Sequence, residues 1–112
     1  MRVLFDQATP VPIRSFLTGH IVSTAAHEGW VRLQNGDLLS AAEAAGFEVF
    51  LTTDKNIRYQ QNLISRKIAI VLIRTQQWPD LKPHVQLVVA AVNAAKPGTY
   101  VEVEIPDERK SH

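Results

Sequence analysis

The 112-residue chain contains no cysteine. Disulfides and thiolate metal sites are therefore excluded, and a reducing compartment is the expectation. Its five glycines are few and scattered, and none forms a glycine-rich loop after a strand. The phosphate-cradle and dinucleotide fingerprints are thus absent, as is the Gly-x-Ser-x-Gly elbow of a serine hydrolase. Charge of one sign is not in excess: 12 Lys and Arg against 11 Asp and Glu leave a net +1. That excludes the bulk basic field of a strong non-specific nucleic-acid binder, so any nucleic-acid contact must come from a local patch. No apolar run approaches the roughly 18 residues of a membrane span. The opening residues carry no signal-peptide pattern, so the reading is cytoplasmic with no membrane partner. His20, His27, His84 and His112 do not fall at metal-ligand spacing.

What is present is an ordinary globular balance, 46% hydrophobic and 21% charged, in a length that fits one core. The reading is one domain over residues 1–106 followed by a charged tail over 107–112. A strand over 2–5 precedes a helix opened by Pro10 and Pro12, with Ile13, Phe16 and Leu17 as its apolar stripe and Gly19 at its end. A second strand covers 20–24, and residues 25–34 are a weakly patterned connection. Asn35-Gly36 signals a turn and Asp37 starts a helix whose inner face is Leu38, Leu39, Ala42 and Ala45, closed by Gly46. The third strand ends in Leu51-Thr52-Thr53-Asp54, and a short helix follows over 56–64. Residues 67–73 are apolar almost throughout, the mark of a strand covered on both faces. A last helix opens at Pro79-Asp80 and carries Leu81, Val85, Val88, Val89 and Val92 at helical spacing. The final strand, from Tyr100, alternates with Glu102 and Glu104, as an edge strand does. Alternating strands and helices imply an α/β fold: a three-layer α/β/α sandwich around a mostly parallel sheet of about five strands.

The chemistry points to three aspartates. Asp6 ends the first strand, Asp54 follows the third, and Asp37 opens a helix. In open α/β sheets, ligands bind beyond the carboxyl ends of the strands where the strand order reverses. If strands one and three flank that reversal, Asp6 and Asp54 become neighbours. Clustered carboxylates repel unless a cation compensates, and Mg²⁺ or Mn²⁺ prefers carboxylate oxygens. Each acid also has a structural reading. Asp37 suits a helix first turn, and Asp54 suits a cap on the helix after it. Glu43, Glu48, Asp80, Glu102 and Glu104 read as structural acids. Lys55, Arg58, Arg66 and Lys67 follow the acidic strand end and suit either a phosphate backbone or a solvated face. Tyr59 suits base stacking or a helix surface. Trp30 and Trp78 read as packing residues.

On Asp6, on Asp37-Leu38-Leu39-Ser40-Ala41-Ala42-Glu43-Ala44-Ala45-Gly46, and on Leu51-Thr52-Thr53-Asp54, the chain resembles the PIN-like nuclease superfamily, including toxins of the VapC type. The resemblance covers about residues 1–73 and is closest to small bacterial PIN-like proteins that lack much of the middle of the domain. It implies Mg²⁺- or Mn²⁺-dependent cleavage of RNA, often by a toxin restrained by a small antitoxin. Asp6, Asp37 and Asp54 take the first, third and fourth acid positions, and Lys55, Asn56, Arg58 and Tyr59 are candidate substrate contacts. The family's second acid, a glutamate, has no counterpart here; Glu28 is the only acid in that interval. The aspartate-phenylalanine that often follows the strand is replaced by Asn56-Ile57. A second subunit, as in a homodimer, or a substrate phosphate would complete the shell. The alternative implied by the missing acid is a scaffold that binds protein or RNA without cleaving. A phosphoacceptor domain is a third reading, but it needs an acidic pair on the first strand and a lysine ending the fifth, where Ile105-Pro106 stands.

Overall fold

A computed structural model describes residues 1–57 and 66–106. Five strands form one sheet: β1 (Arg2–Phe5), β2 (Ile21–Thr24), β3 (Val49–Thr52), β4 (Ala69–Ile73) and β5 (Tyr100–Val103). Their order is β2-β1-β3-β4-β5, and every pairing is parallel. The chain moves from β1 outward to β2, then crosses back to place β3 on the other side of β1. The reversal therefore lies between β1 and β3, where Val3, Leu4 and Phe5 face Val49, Phe50 and Leu51 in register.

Strand alternation divides the core between the two faces of the sheet. Val3, Phe5, Val49, Leu51, Val71 and Ile73 point one way, onto Ile13, Leu81, Val85, Val88 and Val92. Leu4, Phe50 and Ile70 point the other way, onto Ala25, Leu38, Leu39 and Ala42. Each large side chain buried completely, such as Phe5 or Phe50, contributes about 1.5–3 kcal/mol by leaving water. With both faces covered, β3 and β4 have no polar face to show, which is why they read as continuous apolar runs. The three-layer sandwich follows from this division.

The helices depart from the sequence reading in four places. The first is a six-residue 3₁₀ turn over Val11–Phe16, entered from Pro10 with Pro12 near its start. The connection after β2 contains a helical turn, α1 (Ala25–Glu28), where the Thr24 hydroxyl accepts the His27 N–H at 3.0 Å and Gly29 closes at φ 80°. The last helix is not continuous. Pro83, without an N–H and unable to fit beside the preceding turn, splits it into α3 (Trp78–Leu81), a 3₁₀ turn over Lys82–His84, and α4 (Val85–Asn93). Before them, α2 (Asn35–Ala44) is present as expected but starts two residues before Asp37, so Asn35 and Gly36 lie in its first turn and not in a turn ahead of it. The helix expected over 56–64 lies largely outside the described residues, as does the tail over 107–112. Ile57 is fully buried.

The passage from α2 to β3 fixes the height of β3 against β1. Gly46 takes φ 88°, and a Cβ there would sit 2.8 Å from Arg2 Nη1. That guanidinium donates to the Ala45 carbonyl and lies 4.5 Å from the Phe47 ring centroid. Arg2 thus ties the end of α2 to the foot of both central strands. A side chain at Gly46 must accept the left-handed backbone and displace Arg2. Gly46→Ala is expected to lower unfolding free energy by about 1–2 kcal/mol in urea titration. An unchanged midpoint would contradict the turn geometry.

Candidate functional site

Asp6 continues β1 by one residue, and its N–H donates to the Leu51 carbonyl at 3.1 Å. The alternation that puts Leu4 and Phe50 toward α2 carries Asp6 and Thr52 to that same side. The Thr52 hydroxyl, fully buried, donates to Asp6 Oδ2. The other carboxylate oxygen, Oδ1, accepts the Ala8 N–H at 3.1 Å and the Thr9 hydroxyl at 2.9 Å. Asp6 is therefore held through both oxygens.

Asp54 is linked to the same hydroxyl from the opposite direction. Its N–H donates to Thr52 Oγ1 at 3.1 Å, and its Oδ1 accepts the Asn56 N–H at 3.0 Å, turning the chain after β3. One threonine thus gives its proton to Asp6 and its lone pair to the Asp54 backbone. Asp6 and Asp54 line a common cavity of about 390 Å³ with Ala25, Trp30, Leu38, Thr53 and Gln76. A second cavity of about 370 Å³ shares Thr53, Asp54 and Gln76 with the first, and is otherwise lined by Lys55, Asn56, Arg74 and Thr75. Both lie at the carboxyl ends of the strands, the first at the reversal between β1 and β3 and the second beyond β3 and β4.

Asp37 occupies the first turn of α2 and is exposed. It is not in the lining of either cavity, although the next residue, Leu38, is in the first. Asp6 and Asp54 are brought together, and Asp37 stands outside them. Lys55 and Asn56 line the second cavity, while Arg58 and Tyr59 lie outside the described residues. Arg66 and Lys67 serve a different part of the fold. They precede β4, at the amino end of the sheet, where Arg66 donates to Ser40 Oγ at 2.8 Å and pairs with Glu43 at 3.3 Å. The Lys67 N–H donates to Glu43 at 3.2 Å. Glu43 is thus a structural acid clamping α2 to β4, and Arg66 is committed to that clamp. Glu28, the only acid in the interval where the family glutamate belongs, accepts the Ser23 hydroxyl at 2.7 Å and lines a different cavity beside β2.

Several contributors were not singled out from the sequence. Thr9 is buried, and its single hydroxyl hydrogen is shared between the Asp6 carboxylate at 2.9 Å and the Leu51 carbonyl at 3.0 Å. Thr53 is 7% exposed, and its hydroxyl has no hydrogen-bond partner among the described residues. Trp30, read as packing, does meet Phe47 edge-on at 6.0 Å, but it also lines the first cavity. The alternation of Thr52, Thr53 and Asp54 at a strand end was the available signal for the threonines.

Among the described residues, no group of three or more His, Cys, Asp or Glu side chains is placed to hold a metal ion. That donor set does not suit an ion needing an all-protein cage. It does suit Mg²⁺ or Mn²⁺, which binds through one or two carboxylates and keeps other positions for water and phosphate oxygens. Thr53, a residue of the same lining, carries a hydroxyl that is buried without a partner among the described residues. No helix among the described residues is long and apolar enough to cross a membrane. No protein-family model, curated protein or solved structure matches the chain.

The neighbouring threonines should respond oppositely to loss of the hydroxyl. Thr52→Val strands Asp6 Oδ2 and the Asp54 N–H, and is expected to cost about 1–3 kcal/mol. Thr53→Val removes a buried group that has nothing to bond, and is expected to be neutral or to stabilise by up to about 1 kcal/mol. Urea denaturation of both variants checks the pair; equal destabilisation would contradict the assignment.

Proposed function

We propose that the chain is a PIN-like endoribonuclease dependent on Mg²⁺ or Mn²⁺ and, by the same resemblance, the toxin of a toxin–antitoxin pair. The observation that carries the reading is the convergence of Asp6 and Asp54 on one cavity at the reversal between β1 and β3. Asp6 and Asp54 would hold the ion. Asp37, exposed outside the cavity lining and one residue before Leu38, is the third carboxylate of the proposal. When bound, the ion supplies charge neutralisation on the phosphodiester and activation of water.

The chain's own part is orientation. The Thr52, Thr9 and Ala8 donors hold the Asp6 carboxylate before any ligand arrives, and the Thr52 oxygen and Asn56 N–H hold Asp54. Ligands fixed in this way need little reorganisation when charge develops nearby. Lys55, exposed beside Asp54, would meet the phosphate backbone.

A second reading, an RNA- or protein-binding scaffold without catalysis, is favoured by the absence of a three-acid group among the described residues. The phosphoacceptor reading gains Asp54 and Thr75 on one cavity but still lacks a lysine after β5.

The test is cleavage of single-stranded RNA in Mn²⁺. Loss of a metal ligand removes several kcal/mol of charge stabilisation, so Asp6→Asn is expected to slow cleavage at least about a hundredfold. Asp37→Asn should give a smaller loss, because that side chain stands outside the cavity. Equal cleavage by wild type and Asp6→Asn, or none by wild type across several RNAs and metals, would remove the nuclease reading. Binding of RNA without cleavage would select the scaffold.

A further inference from the structure

The sheet ends in two edges, and they are guarded differently. At one edge β5 carries Glu102, and Glu104 and Pro106 follow it. Charge and proline of this kind keep a strand from pairing with another chain. At the other edge β2 reads Ile-Val-Ser-Thr and has neither. The Ile21 N–H donates to the Met1 carbonyl at 3.0 Å, so Ile21 and Ser23 turn their backbones toward β1. Alternation then turns the N–H and C=O of Val22, and the N–H of Thr24, away from the sheet. Such a row of groups is a template for one more strand. Ile21 is 68% exposed and Val11 is 56% exposed. Both line a cavity of about 530 Å³ whose lining also takes in the other three residues of β2.

We infer that β2 is a dimer edge, on which a second copy of this chain pairs antiparallel about a two-fold axis at Val22. Each Val22 N–H then donates to the partner's Val22 carbonyl, a reciprocal pair that the symmetry itself satisfies. The charges fit the same symmetry. Arg2, in register with Ile21, lies at the amino end of β2. Glu28, which accepts the Ser23 hydroxyl at 2.7 Å, lies at the carboxyl end. Ser23 is in register with Leu4, so Arg2, Ser23 and Glu28 share the α2 side of the sheet. An antiparallel partner lays its carboxyl end against this amino end, and so brings the partner's Glu28 toward Arg2. Pairing of β2 with the other copy's β5 would leave one edge open on each copy and grow without closing; two-fold pairing of β2 closes at two. The inference stands apart from the nuclease reading. The carboxyl ends of the two paired sheets point in opposite directions, so each copy keeps its own Asp6–Asp54 cavity. A partner on this edge does not supply the acid missing from it.

The experiment is sedimentation of the full chain over about 10 μM to 1 mM, with amide hydrogen exchange followed by NMR at both ends of that range. The mass is expected to rise from one chain toward two and no further. The Val22 and Thr24 amides should slow at least about tenfold as the dimer forms, while the amides of β5 do not change with concentration. Ile21→Lys replaces an exposed side chain, so the fold is kept, and the added charge beside Arg2 should weaken dimerisation at least about tenfold. Val101→Lys, at an exposed position on β5, should leave it unchanged. A monomer at about 1 mM, a dimer without slowing at Val22 and Thr24, or equal dimerisation by wild type and Ile21→Lys overturns the inference. So does growth beyond two copies with slowing in β5.

Discussion

A buried hydroxyl joins the two acidic strand ends. Thr52 Oγ1 donates to the Asp6 carboxylate and accepts the Asp54 N–H, so neither aspartate is positioned independently of the other. This arrangement depends on the strand order. Only because β3 returns to the far side of β1, in register, does Thr52 stand beside Asp6. The register depends in turn on the lower end of the sheet. There Arg2 holds the end of α2, and the Glu48 carboxylate accepts the Arg2 N–H at 3.1 Å. The packing of the amino end thus sets the chemistry of the carboxyl end.

The charged groups divide along the same axis. Arg66, Glu43 and Lys67 are drawn into contacts near the amino end of β4, while Asp6, Asp54, Lys55 and Arg74 gather at the carboxyl ends. With a net charge of only +1, local segregation of this kind is what can give the molecule a binding face. The proposed site uses the charges left at the upper rim, beside the apolar wall of Trp30, Val31 and Leu33.

Much of the architecture was readable because its signals are strong. The unbroken apolar run of β4, the edge position of β5, and glycine at position 46 after an alanine-rich helix each have one simple structural solution, although Val101, read on the dry face of β5, is exposed and Tyr100, read on its wet face, packs against the core. Convergence of Asp6 and Asp54 was readable too, since both follow apolar strands in an alternating chain. Other features needed coordinates. The apolar spacing from Leu81 to Val92 suggested one helix, but Pro83 overrides that pattern. Asp37 was grouped with the other acids because a helix start can face a site, yet its side chain is exposed outside the cavity. Arg66 and Lys67 are near Asp54 in sequence, but they stand before β4 and so belong to the opposite end of the sheet. The idle hydroxyl of Thr53 and the satisfied one of Thr52 are indistinguishable as letters, because the difference lies in what surrounds each.

The most direct measurement is anomalous diffraction from crystals soaked in Mn²⁺. The account predicts a peak within coordination distance of the Asp6 and Asp54 carboxylates, in the cavity between β1 and β3, and its disappearance in Asp6→Asn. A fully soaked crystal without density there, or with manganese bound only elsewhere, would contradict it.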